Sequence, residues 1–324
     1  MKSWLLRIIP LFLFCAIAVS ASMAQTVDAD QQWRALPGLL ATRPSSEQTQ
    51  SASPAPSTTL TVKAPPETII WVDSLRYGTI PESGEKAIKN LSAGSHSIRA
   101  RLKGKREIRR RVNLESGSES SINLELTEEA SKSELAFQTA EELREKGAHA
   151  DAIKEYRSAI KLSPKGYPAA RIGLARCLMS NEEYAKAIAE ARLAARENGG
   201  VLPEAFTVIA NTKRTQGLYD DAFENYNKAL DQARGFSPEA HTGIALAYQD
   251  RGLSEDAIKH LRLAVTQAND TEPVIYFLLG SALEREFLTK EAVEAYEKYL
   301  QLDPQSNQAA SLRSVLKQLR REIR

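Results

Sequence analysis

Cysteine and histidine are scarce in this chain, and that scarcity excludes several classes of protein. Only two cysteines and four histidines occur among 324 residues, too few for a disulfide scaffold or a cysteine-rich zinc cluster. Aromatic residues make up 6%, and the formal net charge is only +2. A dedicated nucleic-acid binder draws most of its affinity from phosphate neutralisation, so this near balance argues against that class.

The first 24 residues have the layout of a secretory signal peptide. Lys2 and Arg7 precede an apolar run, Ile8–Val19, and small residues then lead to a cleavage site after Ala24 or Ala21. A membrane anchor is the alternative, but the run is shorter than the ~20 apolar residues that span a bilayer. We therefore expect export to the periplasm, the cell envelope or the medium, with no stable membrane span after cleavage.

Processing would leave a mature chain with a single thiol. Cys15 lies inside the apolar run and would be removed with it, so Cys177 could form no intramolecular disulfide. Cys177 lies in an apolar helical pattern, which predicts that it is buried. Residues 25–58 are rich in Pro, Ser, Thr, Ala and Gln without apolar periodicity, and this composition predicts a disordered linker.

Residues 59–126 change to a period of two, which predicts a small all-β domain. Strands are expected around Thr68–Asp73, Lys86–Leu91, Ser97–Leu102, Glu107–Leu114 and Ser120–Leu126, and glycine-containing turns separate them. Short strands at this spacing are typical of an antiparallel β-sandwich.

The turns of this domain resemble those of the PEGA family. The matching segments are Trp71-Val72-Asp73, Gly78-Thr79-Ile80-Pro81 and the Leu-x-x-Gly turn at Leu91–Gly94, followed by a closing strand pair. Lys105-Arg106 departs from the family, which usually has an aromatic residue after the glycine.

A basic run, Lys103–Arg111, follows within the same domain. It could bind a polyanion such as anionic polysaccharide or lipid headgroups, with Arg109 to Arg111 as the binding strand. The alternative is a solvent-facing strand edge whose charges prevent edge-to-edge aggregation, and the modest excess of positive charge in the domain favours this second interpretation.

Residues 133–305 repeat with a period of 35. Apolar side chains spaced by four and seven residues around each marker lie on one helical face, and a second apolar pair precedes each marker by thirteen residues. Glycines such as Gly147 and Gly217 separate the two helices of a unit. The markers are Ala152, Ala187, Ala222, Ala257 and Ala292.

Two helices per unit, with small residues where they cross, resemble the tetratricopeptide repeat. Tyr156, Tyr226 and Tyr296 would fill the space between neighbouring helices. Residues 306–324 predict one more amphipathic helix that caps the last repeat. The expected fold is thus multidomain: a PEGA-like all-β sandwich, then an all-α solenoid of five tetratricopeptide-like repeats with a C-terminal capping helix.

Catalytic motifs are lacking: the sequence has no His-Glu-x-x-His, no Gly-x-Ser-x-Gly and no phosphate-binding glycine loop. His241 and His260 fall on two helices of one repeat. They could form a metal or acid–base site, or they could be isolated histidines on the surface, and we favour the second interpretation. We expect a protein that is not an enzyme and that needs no cofactor or metal.

Repeat arrays bind partners on a concave wall formed by the first helix of each unit. The side chains projected onto this wall include a polar centre, for which we predict a protein or peptide ligand: Arg176, Asn211, Arg214 and Gln249. The predicted function is therefore a non-enzymatic exported scaffold. The alternative is a cell-envelope adhesion module in which the β domain holds an anionic polymer and the repeats act as a spacer.

Overall fold

The computed structural model describes residues 58–323, in which seven β-strands precede eleven α-helices. The predicted signal peptide and residues 25–57 of the predicted linker lie outside the described residues. The strands are β1 Thr58–Lys63, β2 Ile69–Val72, β3 Leu75–Thr79, β4 Glu85–Leu91, β5 Gly94–Arg101, β6 Ile108–Leu114 and β7 Glu119–Asn123.

The strands form two sheets, and one strand pairing differs from the sequence prediction. One sheet has the order β3-β2-β5-β6 and is antiparallel throughout, whereas the other has the order β4-β1-β7. In the second sheet β7 runs parallel to β1, with Leu60 opposite Ser120. The predicted closing hairpin and the fully antiparallel sandwich are therefore wrong, because the turn after β6 carries the chain to the other sheet.

The apolar faces of the two sheets meet in one core. Ile70, Val72 and Ile98 point inward from the four-stranded sheet, and Leu60 and Val62 point inward from the three-stranded sheet. All five are at most 1% exposed. Alternation along each strand places the polar residues outward, as a period of two requires.

The helices pair in sequence order, α1 with α2 through α9 with α10, which gives five helix pairs. Their bounds are α1 Lys132–Glu145, α2 His149–Lys161, α3 Pro168–Ser180, α4 Tyr184–Glu197, α5 Pro203–Thr215, α6 Tyr219–Gln232, α7 Pro238–Asp250, α8 Ser254–Ala268, α9 Pro273–Arg285, α10 Thr289–Leu302 and α11 Ala309–Glu322.

Proline marks where four of the five pairs begin. It is the first residue of α3, α5, α7 and α9, where its missing N–H breaks no helical hydrogen bond and its fixed φ suits the helix. Proline is therefore a regular signal in this sequence for the start of a helix pair.

Alanine sets the distance between the paired helices. The five marker alanines at positions 152, 187, 222, 257 and 292 are all 0% exposed. Tyr156 and Tyr226 are also fully buried, each with its ring against a glycine of the next first helix, Gly173 or Gly243. Small residues thus let the helices approach while each tyrosine fills the remaining space.

The last helix covers the exposed end of the array, as predicted. α11 packs against α10 and buries Leu312, Leu316 and Leu319 in the same cluster as Tyr296 and Tyr299. Its opposite face is polar, with exposed Arg313 and Arg320 among its side chains. The fold class predicted from the sequence, a β domain followed by a capped helical solenoid, is therefore confirmed.

Among residues 58–323, no helix is both long enough and apolar enough to cross a membrane.

Candidate partner-binding groove

The predicted polar centre lies on the first helices of three consecutive pairs, and Arg176 occupies it together with an acidic partner. Arg176, on α3, donates from Nη2 to both carboxylate oxygens of Glu239, at 3.0 and 2.8 Å. Glu239 is at the start of α7, so this ion pair passes over the intervening first helix, α5. The two side chains are 32% and 46% exposed, which leaves the pair accessible to solvent.

Arg214, on α5, has a partly satisfied guanidinium. Its Nη1 donates to Oδ2 of Asp250 at 2.7 Å, and the side chain is 23% exposed. Its Nε is buried and has no hydrogen-bond partner among the described residues. A ligand would therefore contact the exposed part of the guanidinium and not this buried Nε.

Asn211 and Gln249 complete the predicted set in different ways. The hydroxyl of Tyr226 donates to Oδ1 of Asn211 at 2.5 Å, which ties the Asn211 amide to the helix behind it. Burial is the main cause of the raised pKa of Tyr226, so the hydroxyl stays protonated and remains a donor. Gln249 lies partly exposed near the end of α7.

Some residues projected onto the wall are buried instead. The helical projection that places Arg176 on the wall also places Phe137, Ile172 and Thr207 there, but these three are 5%, 6% and 1% exposed, so that part of the prediction is wrong. Successive first helices pack directly against one another, α1 on α3 and α3 on α5.

At the first repeat a charged cluster joins the helices to the β domain. Glu141 accepts hydrogen bonds from Tyr156 and Arg144, and Arg101 of β5 lies 3.6 Å from it. Burial alone would raise the pKa of Glu141, but Arg144, the Tyr156 hydroxyl and Arg101 together lower it. The Arg101 guanidinium also lies 4.7 Å from the centre of the Phe137 ring, a cation–π geometry.

Much of the predicted basic run faces α1 and the segment before it. Lys103 donates to Glu142 at 2.7 Å, and Lys105 and Arg106 pair with Glu129 and Glu128. The hydrogen bonds from Lys103 and then from Lys146 lower the pKa of Glu142 to about 2. Three cations of the run are therefore neutralised by carboxylates of this same chain.

A buried amide makes the junction specific. Gln138 of α1 accepts from the backbone N–H of Gly104 at 2.9 Å and donates to the carbonyl of Lys105 at 2.8 Å. Gln138 is 9% exposed. If its amide were removed, the Gly104 N–H and the Lys105 carbonyl would each lose a hydrogen bond, and little water could reach them to replace it.

The β domain also contacts the far end of the array. Asn269 ends α8 in a left-handed conformation, and its Nδ2 lies 2.8 Å from the hydroxyl of Tyr77. Arg76, the neighbour of Tyr77 on β3, lies 3.5 Å from Glu145 at the end of α1. One strand thus touches both the end of α1 and the turn before α9.

The two histidines of the fourth pair form a contact that the sequence prediction missed. Nδ1 of His241 lies 3.1 Å from Nδ1 of His260, and His241 is only 7% exposed. The favoured interpretation, isolated surface histidines, is therefore wrong. Within residues 58–323, no group of three or more His, Cys, Asp or Glu side chains could hold a metal ion. Cys177 is buried as predicted, and burial raises the pKa of its thiol to about 11.

Comparison with protein families identifies the helical part. Family models of the tetratricopeptide repeat match residues 143–211, 207–273 and 273–306. Residues 143–306 are tetratricopeptide repeats. The resemblance drawn from the alanine markers is therefore confirmed for this segment, and Arg176, Asn211, Arg214 and Gln249 all lie within it.

Several solved structures are similar to the repeats. A thermophilic TPR protein of Thermus thermophilus is 18% identical, with 58% of this chain and 98% of that chain covered and a TM-score of 0.49. PilF of Pseudomonas aeruginosa is 15% identical, with 58% and 83% covered and a TM-score of 0.47. YrrB, described as a TPR protein with an unusual peptide-binding site, is 16% identical, with 56% and 91% covered and a TM-score of 0.37. No curated protein matches this chain.

Tetratricopeptide repeats form extended concave surfaces that bind protein or peptide partners. In this chain that surface carries arginine–carboxylate pairs, of which sequence analysis found only the arginines. Glu239 was missed because it lies 63 residues from Arg176, and no local pattern relates the two positions.

Proposed function

We propose that this protein is an exported, non-enzymatic scaffold whose tetratricopeptide repeats hold a peptide segment of a partner protein. The ligand lies along the first helices of the second to fourth repeats. Arg176 and Arg214 bind its carboxylate groups, and Asn211 and Gln249 offer amide groups to its backbone.

The observation that carries this proposal is the Arg176–Glu239 pair. A guanidinium that already binds a carboxylate through two hydrogen bonds, and that is about one-third exposed, has the geometry for a carboxylate of a ligand. A partner can take the place of Glu239 because the chemistry of the contact is unchanged. The partly exposed guanidinium of Arg214, which already pairs with Asp250, supplies a second point of attachment one repeat further along.

Export and the identity of the β domain extend the proposal beyond the repeats. The signal-like residues 1–24 support a periplasmic or cell-envelope location. The PEGA-like turns support a small domain that holds the N-terminal end of the array, a role consistent with the contacts of Gln138 and Arg101 across the junction.

Selection of peptides from a random library on the full mature chain tests the binding site. We expect enrichment of peptides with a carboxylate side chain or a free C-terminus, and Arg176→Gln should weaken a selected peptide by about tenfold to a hundredfold. Arg192→Gln is the matched control, since it removes an equal charge from the exposed surface of α4 in the same repeat. Equal losses for both variants, or peptides with no acidic preference, would contradict the site.

Mass spectrometry of the N-terminus tests export. We expect a mature chain that begins at Gln25 or Ser22 in the soluble envelope fraction. An intact Met1 recovered with the membranes would contradict this part of the proposal and leave the groove untouched.

A further inference from the structure

A row of four residues crosses the outer face of the four-stranded sheet. The strand register places Trp71 opposite both Arg76 and Arg99, and places Arg99 opposite Arg109. The neighbours Ile70, Val72 and Ile98 point into the core, so the row points away from it. Three arginines therefore share one face with a tryptophan.

Arg99 is the least neutralised charge in this row. Its guanidinium lies 4.1 Å from the centre of the Trp71 ring, and the side chain is half-buried. Within residues 58–323 it has no carboxylate in ion-pair contact. Burial is the main cause of its lowered pKa; the nearby carboxylates Glu107 and Glu141 raise this pKa, and the adjacent charges of Arg101 and Arg109 lower it.

Glu107 lies close to this row, but it is already engaged. It accepts two hydrogen bonds from Arg101, at 3.1 and 2.9 Å, and lies 3.4 Å from Arg109. Arg99 and Arg109 therefore retain positive charge that an external anion can neutralise. A half-buried cation flanked by like charges gains more from such an anion than an exposed lysine does.

The same face ends at a strand with a free edge. β6 pairs with β5 on one side, and no described strand pairs with its other side. Arg109 and Arg111 lie opposite Arg99 and Ser97, so both point outward, two residues apart. Arg109 is 70% exposed.

We propose that an extended acidic segment of a partner protein adds to this edge as an extra strand beside β6. Its backbone pairs with the N–H and C=O groups on the unpaired side of β6, where it displaces the Arg110 side chain from the carbonyl of Arg109, and acidic side chains at alternate positions face Arg109 and Arg111. Arg99 adds its charge from the next strand. This surface is separate from the groove of Arg176 and does not depend on it.

The features of the edge favour a peptide over an anionic polysaccharide. Arg99 and Arg101 both lie over Trp71, which is only 9% exposed and so presents no free ring face to a sugar. An open strand edge, in contrast, offers hydrogen-bonding groups at the spacing of another peptide.

The experiment measures binding of a fluorescent peptide of alternating Glu and Thr to the full mature chain. We expect saturable binding that weakens with salt, and an Arg109→Gln/Arg111→Gln double variant should bind about tenfold more weakly, roughly half a decade for each exposed charge contact. Both side chains are exposed, and the far-UV circular dichroism of the variant should match that of the unchanged chain. Lys63→Gln/Lys89→Gln is the matched control, with the same loss of charge on the other sheet, and should bind normally.

Two further probes separate strand addition from simple charge attraction. A peptide N-methylated at alternate residues keeps its charge but loses N–H groups, and we expect it to bind at least tenfold more weakly. The Arg109→Gln/Arg111→Gln variant should lose the same factor of affinity when Arg176→Gln is also present, which distinguishes this surface from the groove.

Four results would overturn the proposal: equal affinity for a Gln-Thr peptide, equal affinity for the methylated peptide, an equal loss in the lysine variant, or displacement by polygalacturonate at a lower carboxylate concentration than by the acidic peptide.

Discussion

Replacement of Gly173 by alanine tests how closely the repeats are packed. Alanine is normally the better helix former, by roughly 0.8–1.0 kcal/mol in a helix interior. Here a Cβ would lie 2.5 Å from the hydroxyl oxygen of Tyr156 and closer still to its ring, a separation that real Cβ atoms essentially never show. Helix propensity therefore predicts that Gly173→Ala stabilises the protein, whereas packing predicts that it destabilises it.

The tyrosine cannot easily move to make room. Its side chain is 0% exposed, Arg144 donates to its hydroxyl at 3.1 Å, and the hydroxyl donates to Glu141. A shift of the ring would break these hydrogen bonds inside the protein. Overpacking in a well-filled core typically destabilises by about 1–3 kcal/mol, and because the ring is held we expect the upper half of that range before the propensity gain is subtracted.

The net loss should therefore be about 1–2 kcal/mol, which lowers the melting temperature by roughly 2–8 °C for a unit of this size. Thermal and urea unfolding followed by far-UV circular dichroism measure it. Gly243→Ala is an internal replicate, because Gly243 faces Tyr226 in the same way.

A double-mutant cycle isolates the cause. In a Tyr156→Leu background the ring is absent, so Gly173→Ala should become neutral or stabilising, with a coupling energy of about 1–3 kcal/mol. An increase in stability from Gly173→Ala in the otherwise unchanged chain would refute the packing argument. The same loss in both backgrounds would show that the strain lies elsewhere.

Three further perturbations examine other parts of the fold. Ala257→Leu at a fully buried helix crossing should lower the free energy of unfolding by about 1–3 kcal/mol, as measured in urea. Ala310→Leu on the exposed face of α11 should leave that free energy unchanged. Equal effects of the two substitutions would contradict the helix packing. Burial lowers the pKa of both His241 and His260 below the ordinary 6.5, so the stabilisation present above pH 6.5 should be lost as the pH falls. Replacing both histidines by glutamine should flatten this part of the curve of unfolding free energy against pH. An unchanged slope would contradict the role of the pair. Gln138→Ala should destabilise the junction by about 1–3 kcal/mol and speed proteolysis between the β domain and α1. An unchanged rate of digestion would contradict the role of this amide in joining the two.

Much of the fold follows from local patterns in the sequence. A helix places residues four and seven apart on one face, so repeated alanines and tyrosines reveal both the helices and their crossings without any knowledge of distant contacts. In the same way, the alternation of apolar and polar residues revealed most strands of the β domain. It missed β3, whose glycine at position 78 was taken as a turn, and β1, which fell almost entirely in the predicted β domain but was not predicted as a strand.

The functional surfaces depend on contacts between residues that are far apart in the chain. Arg176 and Glu239 meet because the first helices of successive repeats stack, and Arg76, Trp71, Arg99 and Arg109 align because four strands adopt one register. Neither the stacking angle of the repeats nor the strand order is encoded in a window of ten or twenty residues. The sequence by itself determined which side chains each helix and most strands present, whereas only the tertiary structure decided which of those side chains share a site.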